Sequence, residues 1–505
     1  MDIPSLFMIP SAVSSGKVHS VFPNSTDADF DFNRDSDATR VNSEGLIERV
    51  GYYGSDLVTN GDFSNGSTGW GLGSNWSVSG GKASCDGSAS NSMSQATVLG
   101  IASTTFKITY NVSSISQGSL RITLGGVSGA SRSEIGTYTD FITASSTDRL
   151  RIFADSNAIA SIDNIVVNQV TGDRARLNYE IEGGLVNTKP SLLLEPQSTN
   201  LVTYSQDFSQ WSTISASATD DYATSPEGIT NASRFLTTST GAYLYLSSIS
   251  VSNSTVYTIS VYAKSNGNNL DDFRIYTSLG DSSTLTATSE WQRFTYTFTT
   301  SVTSINIGFR PSSTQNADIQ VFGYQLEQQS YSTSYIPTNG STQTRAAETC
   351  NGAGTSSILP SEEGILYCEI AALADDLTFR TISVSDGTTS NRSVLRYGGT
   401  SNFINVLASS GGSNVFDNNF TLSEITDFNK IAIKYKLNNY ALWVNGNEVK
   451  TDTSGAAPVG LSQVQFSNAV GNSNMFYGKI RDIRVYNTKE MTDSEVDILL
   501  TKITS

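Results

Sequence analysis

Apolar residues recur at every second position in segment after segment of this chain, and that period commits it to β structure. Phe106, Ile108, Tyr110 and Val112 alternate with polar residues, as do Leu120, Ile122 and Leu124. The pattern returns at Tyr257, Ile259 and Val261, at Phe294, Tyr296 and Phe298, and at Ile305, Ile307 and Phe309. It appears last at Ile431, Ile433 and Tyr435 and at Tyr440, Leu442 and Val444. The final run leads into Asn445-Gly446, the strongest short hairpin signal. Side chains on a strand point alternately to opposite faces, so these stripes give one packed face and one wet face. The prediction is an all-β chain of antiparallel sandwiches of jelly-roll type. A single short helix is expected at the C-terminus. There Thr492-Asp-Ser-Glu495 forms a capping box, and Val496, Leu499, Leu500 and Ile503 follow at helical spacing to lie on the last sandwich.

An internal repeat sets the organisation. Leu57-Val-Thr-Asn-Gly-Asp62-Phe63-Ser, with Trp70 following, recurs as Leu201-Val-Thr-Tyr-Ser-Gln-Asp207-Phe208-Ser-Gln-Trp211. Each copy closes with a strand, around Ile162–Val167 in the first and Ile319–Leu326 in the second. Two related sandwiches are therefore placed at 55–171 and 199–336, and a third of different pattern at 350–505. A linker at 337–349 separates the last two. With 505 residues and roughly 150 per domain, about three domains are expected. Residues 1–54 and 172–198 are expected to pack together as a small discontinuous base, with the first sandwich inserted between them.

Composition removes several function classes. The formal net charge is −16, the wrong sign for a chain that tracks nucleic-acid phosphates. His19 is the only histidine, and Cys85, Cys350 and Cys368 lack metal-ligand spacing, which argues against zinc sites, triads and imidazole acid–base work. An odd cysteine count fits folding in a reducing compartment. No run approaches the roughly 18 apolar residues of a membrane span, so no membrane insertion is expected. The first ten residues lack the basic flank and long apolar region of a signal peptide. Residues 3–10, apolar with a proline at each end, read equally as a docking strand for another protein or as an edge strand of the chain's own fold.

At several motifs the sequence resembles known proteins. Asn60-Gly-Asp62-Phe63, a nearby Trp and the closing Ile162-Asp163-Asn164-Ile165 resemble carbohydrate-binding-module jelly rolls. Phe30-Asp-Phe32-Asn-Arg34, Ala38-Thr-Arg40-Val, Arg176-Leu-Asn-Tyr179, Leu194-Glu195-Pro, Tyr324-Gln-Leu-Glu327, Ser334-Tyr-Ile-Pro337 and Thr344-Arg345-Ala-Ala-Glu348 resemble virion fibre or adhesin proteins of tailed bacteriophages. The segment Phe476–Asn487 is similar to the closing strand of laminin-G or concanavalin-A-like lectin domains. The resemblance implies a virion protein, assembled in the host cytoplasm and usually homotrimeric, that touches other virion proteins through residues 1–54. It implies adhesion to host-surface polysaccharide through non-catalytic modules. A head fibre or capsid decoration protein with no glycan specificity is the alternative, and a polysaccharide depolymerase the third.

By the same resemblance Asp62 and Asp163 are the candidate ligands of a structural calcium ion, which takes roughly six to eight oxygens. The second sandwich retains Asp207 but has Phe322 or Gly323 near the position of Asp163, which leaves that ion without a counterpart there. Sugar contact needs flat apolar rings beside hydrogen-bonding groups. Trp76, in a polar Gly-rich stretch, Tyr243 and Tyr245, on one face of a strand, and Trp443, beside the hairpin, are the candidates, while Trp70, Trp211 and Trp291 are expected in the core. Carboxylate-only glycosidase chemistry requires two acids across a cleft. Glu134, Glu180, Glu182, Glu290, Glu362 and Glu363 are scattered without a pairing motif, and no enzyme is expected.

Overall fold

The computed structural model describes residues 3–505 apart from 156, 172, 173, 268, 269 and 472. Among the described residues it is all-β with one α-helix and two short 3-10 turns, and every alternating stripe named above lies in a strand. The expected boundary at 171/172 falls outside the described residues.

The two repeat copies share one topology. In the first, one sheet runs Gly136–Thr143, Thr105–Gln117, Ile159–Thr171, Lys82–Asp86, Trp76–Ser79. The facing sheet runs Val127–Ser128, Leu120–Leu124, Arg149–Ala154, Asn91–Val98, Trp70–Gly71. In the second copy the same positions are taken by Gln292–Thr299, Val256–Ser265, Asp318–Glu327, Thr230–Thr237, Ala216–Thr224 and by Leu285–Ala287, Asp271–Thr277, Ser304–Pro311, Tyr243–Ser250, Ser212–Ile214. The repeated motif has the same local geometry in both. Asp62 Oδ1 accepts from the Ser64 N–H at 3.2 Å, and Asp207 Oδ1 from that of Ser209 at 3.2 Å. The Trp70 and Trp211 indoles each donate to a backbone carbonyl at 3.0 Å, of Asn60 and Tyr204 respectively. Each Trp packs on the Phe of its motif, with ring centroids 5.3 and 5.1 Å apart. The motif thus staples the entry loop to the core.

The third sandwich differs from expectation in its extent. Its first sheet contains Arg176–Asn178, Ser191–Leu194, Gly478–Asn487, Glu363–Ala372, Asn429–Lys436, Tyr440–Val444 and Asn447–Asp452. Its second runs from Val13–Ser14, Lys17–Val18 and Phe30–Asn33 through Thr349–Ala353 and Gln463–Gln465 to Arg380–Ser385, Arg392–Tyr397, Phe403–Ser410 and Ser413–Thr421. The segments expected as a separate base (1–54 with 172–198) therefore supply strands to both sheets of this unit. They are too short to enclose a core of their own, and Leu6, Met8, Phe30, Phe32, Leu192 and Leu194 join the core of Leu366, Ile370, Phe466, Ile480 and Val485. Leu6–Met8 pairs antiparallel with Gly478–Asn487, so this part of the N-terminal peptide is an edge strand of its own fold. Tyr52–Asp56, across the expected boundary at 54/55, pairs with Ile159–Thr171 of the first sandwich.

The expected linker at 337–349 is likewise structured. Gln343–Arg345 pairs with Ser198–Asn200, and Arg345 and Glu348 are fully buried. They belong to an ionic knot where the units meet. Glu348 accepts from Arg34 Nη1 and Arg176 Nε, both at 2.9 Å, from the Glu195 N–H at 2.9 Å, and from Arg176 Nη2. Glu195 faces Arg176 at 2.7 Å and Arg345 at 2.9 Å and accepts from Ser334 N and Oγ. Glu327 accepts from Ser198 Oγ at 2.6 Å, Thr333 N at 3.0 Å and Thr333 Oγ1. Three arginines thus meet the two glutamates Glu195 and Glu348, while Glu327 is held by Ser198 and Thr333, so that each charge is hydrogen-bonded, as buried ions must be. Arg34, Arg176, Glu195, Glu327, Ser334, Arg345 and Glu348 come from motifs spread over most of the chain.

The helix, Asp493–Thr504, starts at the predicted capping box, with Glu495 N donating to Thr492 Oγ1 and Thr492 N to Glu495 Oε2. Val496, Leu499 and Leu500 bury against Ile365, Tyr367, Ala432, Ala441, Trp443 and Tyr486, with Ile503 partly buried beside them. This covers the outer face of the first sheet of the third sandwich. The hairpin at Asn445-Gly446 forms, with φ of 45° and 85° at its two corner residues, as a mirror-image turn requires.

Candidate functional site

Two of the four proposed sugar-contact residues are packed inside. Trp76 lies 6% exposed in the core of the first sandwich, its indole N–H donating to the Asn91 carbonyl at 3.4 Å. The glycines around it explain why: a Cβ on Gly73 would sit 2.6 Å from the Ser92 carbonyl oxygen, so the Gly-rich stretch hugs the neighbouring strand and turns Trp76 inward. Trp443 is 8% exposed because the C-terminal helix covers the face it occupies. Trp70 and Trp211 are core residues as expected, whereas Trp291 is only half-buried, with its N–H on the Thr224 carbonyl and Lys264 near its ring.

Tyr243 and Tyr245 remain on the solvent side of the second sandwich, and the sheet brings them a third ring. Leu244, Ile275, Ile307 and Phe309 point into the core, so their strand neighbours face outward. In register across three strands lie Tyr245, Gly308 and Tyr276, and in the next row Tyr243, Arg310 and Arg274. Gly308 is required here because a Cβ would fall 2.0 Å from the Leu244 carbonyl oxygen. Gly308 itself is buried, and the half-buried Tyr245 and Tyr276 flank it on the same face. Tyr243 meets Tyr276 edge-on at 5.0 Å and carries the Arg310 guanidinium 4.3 Å from its centroid. Arg310 and Arg274 are both held by Asp281 at 3.0 Å. Burial is the main cause of the raised Tyr276 pKa, followed by the neighbouring Tyr243, so its hydroxyl stays a donor. Gly308 and Tyr276 were not singled out from sequence, because their place beside Tyr245 depends on a cross-strand register that links distant segments.

The acids sort differently. Asp62 is exposed, and the Ser64 N–H and hydroxyl lower its pKa. Its loop is tied to the last strand near Asp163 by the Ile165 N–H on the Gly61 carbonyl at 3.0 Å. Asp163 Oδ1 accepts from Asn164 N at 2.7 Å. Among the described residues no group of three or more His, Cys, Asp or Glu side chains is gathered for a metal. A calcium ion on these two carboxylates would have to draw most of its oxygens from backbone carbonyls or water.

A cleft of 1940 Å³ runs between the first two sandwiches, lined by Arg132, Tyr138 and Asp140 on one side and by Asp207, Asp220 and Asp221 on the other. Burial, then the hydrogen bond and charge of Asp220, raise the Asp207 pKa. Both carboxylates accept from the Ser209 N–H, and Asp220 also from Phe208 N and Ser233 Oγ. Two carboxyls in direct contact are closer than the roughly 5 Å or more that glycoside hydrolysis uses; this pair closes a turn. Of the scattered glutamates, Glu180 pairs with Lys479, Glu182 with Arg481, Glu362 with Lys489 and Glu363 with Lys436.

Comparison with known proteins agrees with this architecture for the last unit. No curated protein matches the chain. The solved N-terminal CBM22-1–CBM22-2 tandem domain of Paenibacillus barcinonensis Xyn10C is similar at 10% identity and a TM-score of 0.21, covering 55% of this chain and 99% of that one. An anti-sigma factor domain-containing protein is similar at 10% identity and a TM-score of 0.14, covering 52% and 93%. Residues 370–497, which hold part of each sheet of the third sandwich, match the laminin-G-type family of the concanavalin A-like lectin/glucanases superfamily.

Proposed function

We propose that this protein binds glycans without catalysis, as an adhesion component of a phage virion that attaches to host-surface polysaccharide. The observation that carries the glycan reading is the solvent-side tyrosine cluster Tyr243, Tyr245 and Tyr276 on one sheet face, with the Arg310 guanidinium beside it. Sugar rings stack their C–H faces on such aromatics, while the polar neighbours read the hydroxyls. The lectin-type match of residues 370–497 supports the same reading. The virion role rests on the fibre-like motifs, whose residues Arg34, Arg176, Glu195, Arg345 and Glu348 build the ionic knot. A homotrimer would multiply shallow sites into useful avidity.

A glycan array probed with the full chain tests the binding, alongside Tyr245→Ala and Tyr276→Ala. Saturable binding that a soluble oligosaccharide competes away, and that either variant weakens at least tenfold, is expected. Capsid binding with no response to any sugar would favour a decoration protein instead. Release of reducing ends from a bound polysaccharide would overturn the non-catalytic reading.

A further inference from the structure

The third sandwich carries a second aromatic–glycine–aromatic row, in which Phe379 is exposed, Phe403 half-buried and Gly398 buried, with a different charge beside it. Ile382, Val384, Leu395, Tyr397, Ile404 and Val406 fill the core, so Phe379, Thr381, Arg392, Arg396, Phe403 and Asn405 lie on the opposite face of their sheet. Gly398 sits between the two phenylalanines. Its N–H donates to the Phe403 carbonyl at 3.4 Å, and a Cβ on it would lie 2.8 Å from Phe379 Cα. Phe379 is 42% exposed, a large ring left open at the end of a strand.

One row further on, Thr381, Arg396, Asn405 and Asn419 are in register across four strands. Arg396 donates from Nε to Asn405 Oδ1 at 2.7 Å, and Asn405 Nδ2 in turn donates to Asp417 Oδ1 at 2.7 Å and Asn419 Oδ1 at 2.6 Å. This chain of bonds fixes the guanidinium plane, with its carbon 5.3 Å from the centre of the Phe379 ring. Among the described residues no hydrogen bond or ion pair engages the two terminal nitrogens of Arg396. A preset fork with two free donors is the arrangement that grips a carboxylate or sulfate in two-point contact.

The local charge agrees. Arg392, on the same face, is bonded to Asn468 and has no carboxylate partner among the described residues, and its Nε is buried without a partner. Arg392 and Arg396 thus set two cations near each other on a chain whose net charge is −16. Burial, and then the charge of Arg396, lower the Arg392 pKa.

We infer that this face binds an acidic sugar unit, with Phe379 stacking on the pyranose ring and Arg396 holding its anionic group. The inference rests on the glycan reading above and adds the class of sugar and a separate site on the third sandwich. Titration calorimetry of the full chain with an oligogalacturonate, its methyl ester and a sulfated oligosaccharide tests it. The oligogalacturonate should bind at least tenfold tighter than the neutral ester, and Arg396→Gln should erase that preference while Arg396→Lys restores part of it. Raising salt from 50 to 500 mM should weaken the acidic ligand more than the neutral one. Tighter binding of the sulfated ligand would assign the anion as sulfate within the same class. Equal binding of acid and ester, or an unchanged preference in Arg396→Gln, overturns the acidic site and leaves the tyrosine site standing. Absence of binding to any of these, together with a silent glycan array, overturns both.

Discussion

Glu348→Gln should be among the most damaging single substitutions in this chain. Glu348 is 0% exposed and lies between Arg34 and Arg176 with four hydrogen bonds to its two oxygens. Among the described residues Glu348 is the carboxylate paired with Arg34, so an uncharged glutamine leaves that buried guanidinium without its anion. Removing one partner of a buried pair costs about 3–5 kcal/mol. As a control, Asp148→Asn breaks a pair with Arg151 in which both side chains are about one-third exposed, and should cost less than about 1 kcal/mol. Urea unfolding at pH 7, followed by tryptophan fluorescence, measures both. A cost for Glu348→Gln no larger than that of the control would refute the idea that this knot holds the units together.

The same knot sets an acid limit. Burial opposes ionisation of Glu195, but the facing Arg345 and Arg176 and the Ser334 donors outweigh it and bring its pKa to about 2. For Glu348, burial is likewise outweighed, by Arg176 and Arg34, and its pKa is lowered. A carboxylate depressed in the folded state contributes stability above its unfolded value, 4.5, and loses it as pH falls through the folded value. Stability should therefore decline from pH 4.5 toward about 2, and less steeply in Glu348→Gln.

Three further outcomes can be checked directly. Gly308→Ala places a methyl group against the Leu244 carbonyl, and should cost about 1–3 kcal/mol in urea unfolding and reduce sugar binding with it. Thr492→Ala removes the capping-box acceptor of the C-terminal helix and should cost about 1 kcal/mol, with increased hydrogen exchange over 493–504. If Asp62 and Asp163 hold calcium, chelation by EDTA should lower the unfolding temperature of the first sandwich, and Asp163→Asn should remove that response.

Local pattern was enough to read the strands, the hairpin, the helix cap and the repeat, because each depends on residues within one or two turns of chain. Asp62-Phe63-Ser64 and Asp207-Phe208-Ser209 make the same turn in both copies for that reason. Exposure was harder to read. Trp76 sits among polar residues yet faces inward, and Trp443 alternates correctly on its strand yet lies beneath a helix that arrives fifty residues later. Alternation tells which residues share a face, while only the packed neighbours decide whether that face meets water.

Sequence by itself determined the all-β class and the duplicated sandwich, since period and repetition belong to the chain alone. Tertiary structure decided where the third sandwich begins, that Arg34, Arg176, Glu195, Arg345 and Glu348 are one buried charge cluster, and that Tyr276 and Gly308 stand beside Tyr245. Those relations join residues far apart in the chain, and sheet register and burial, which no local window contains, bring them together.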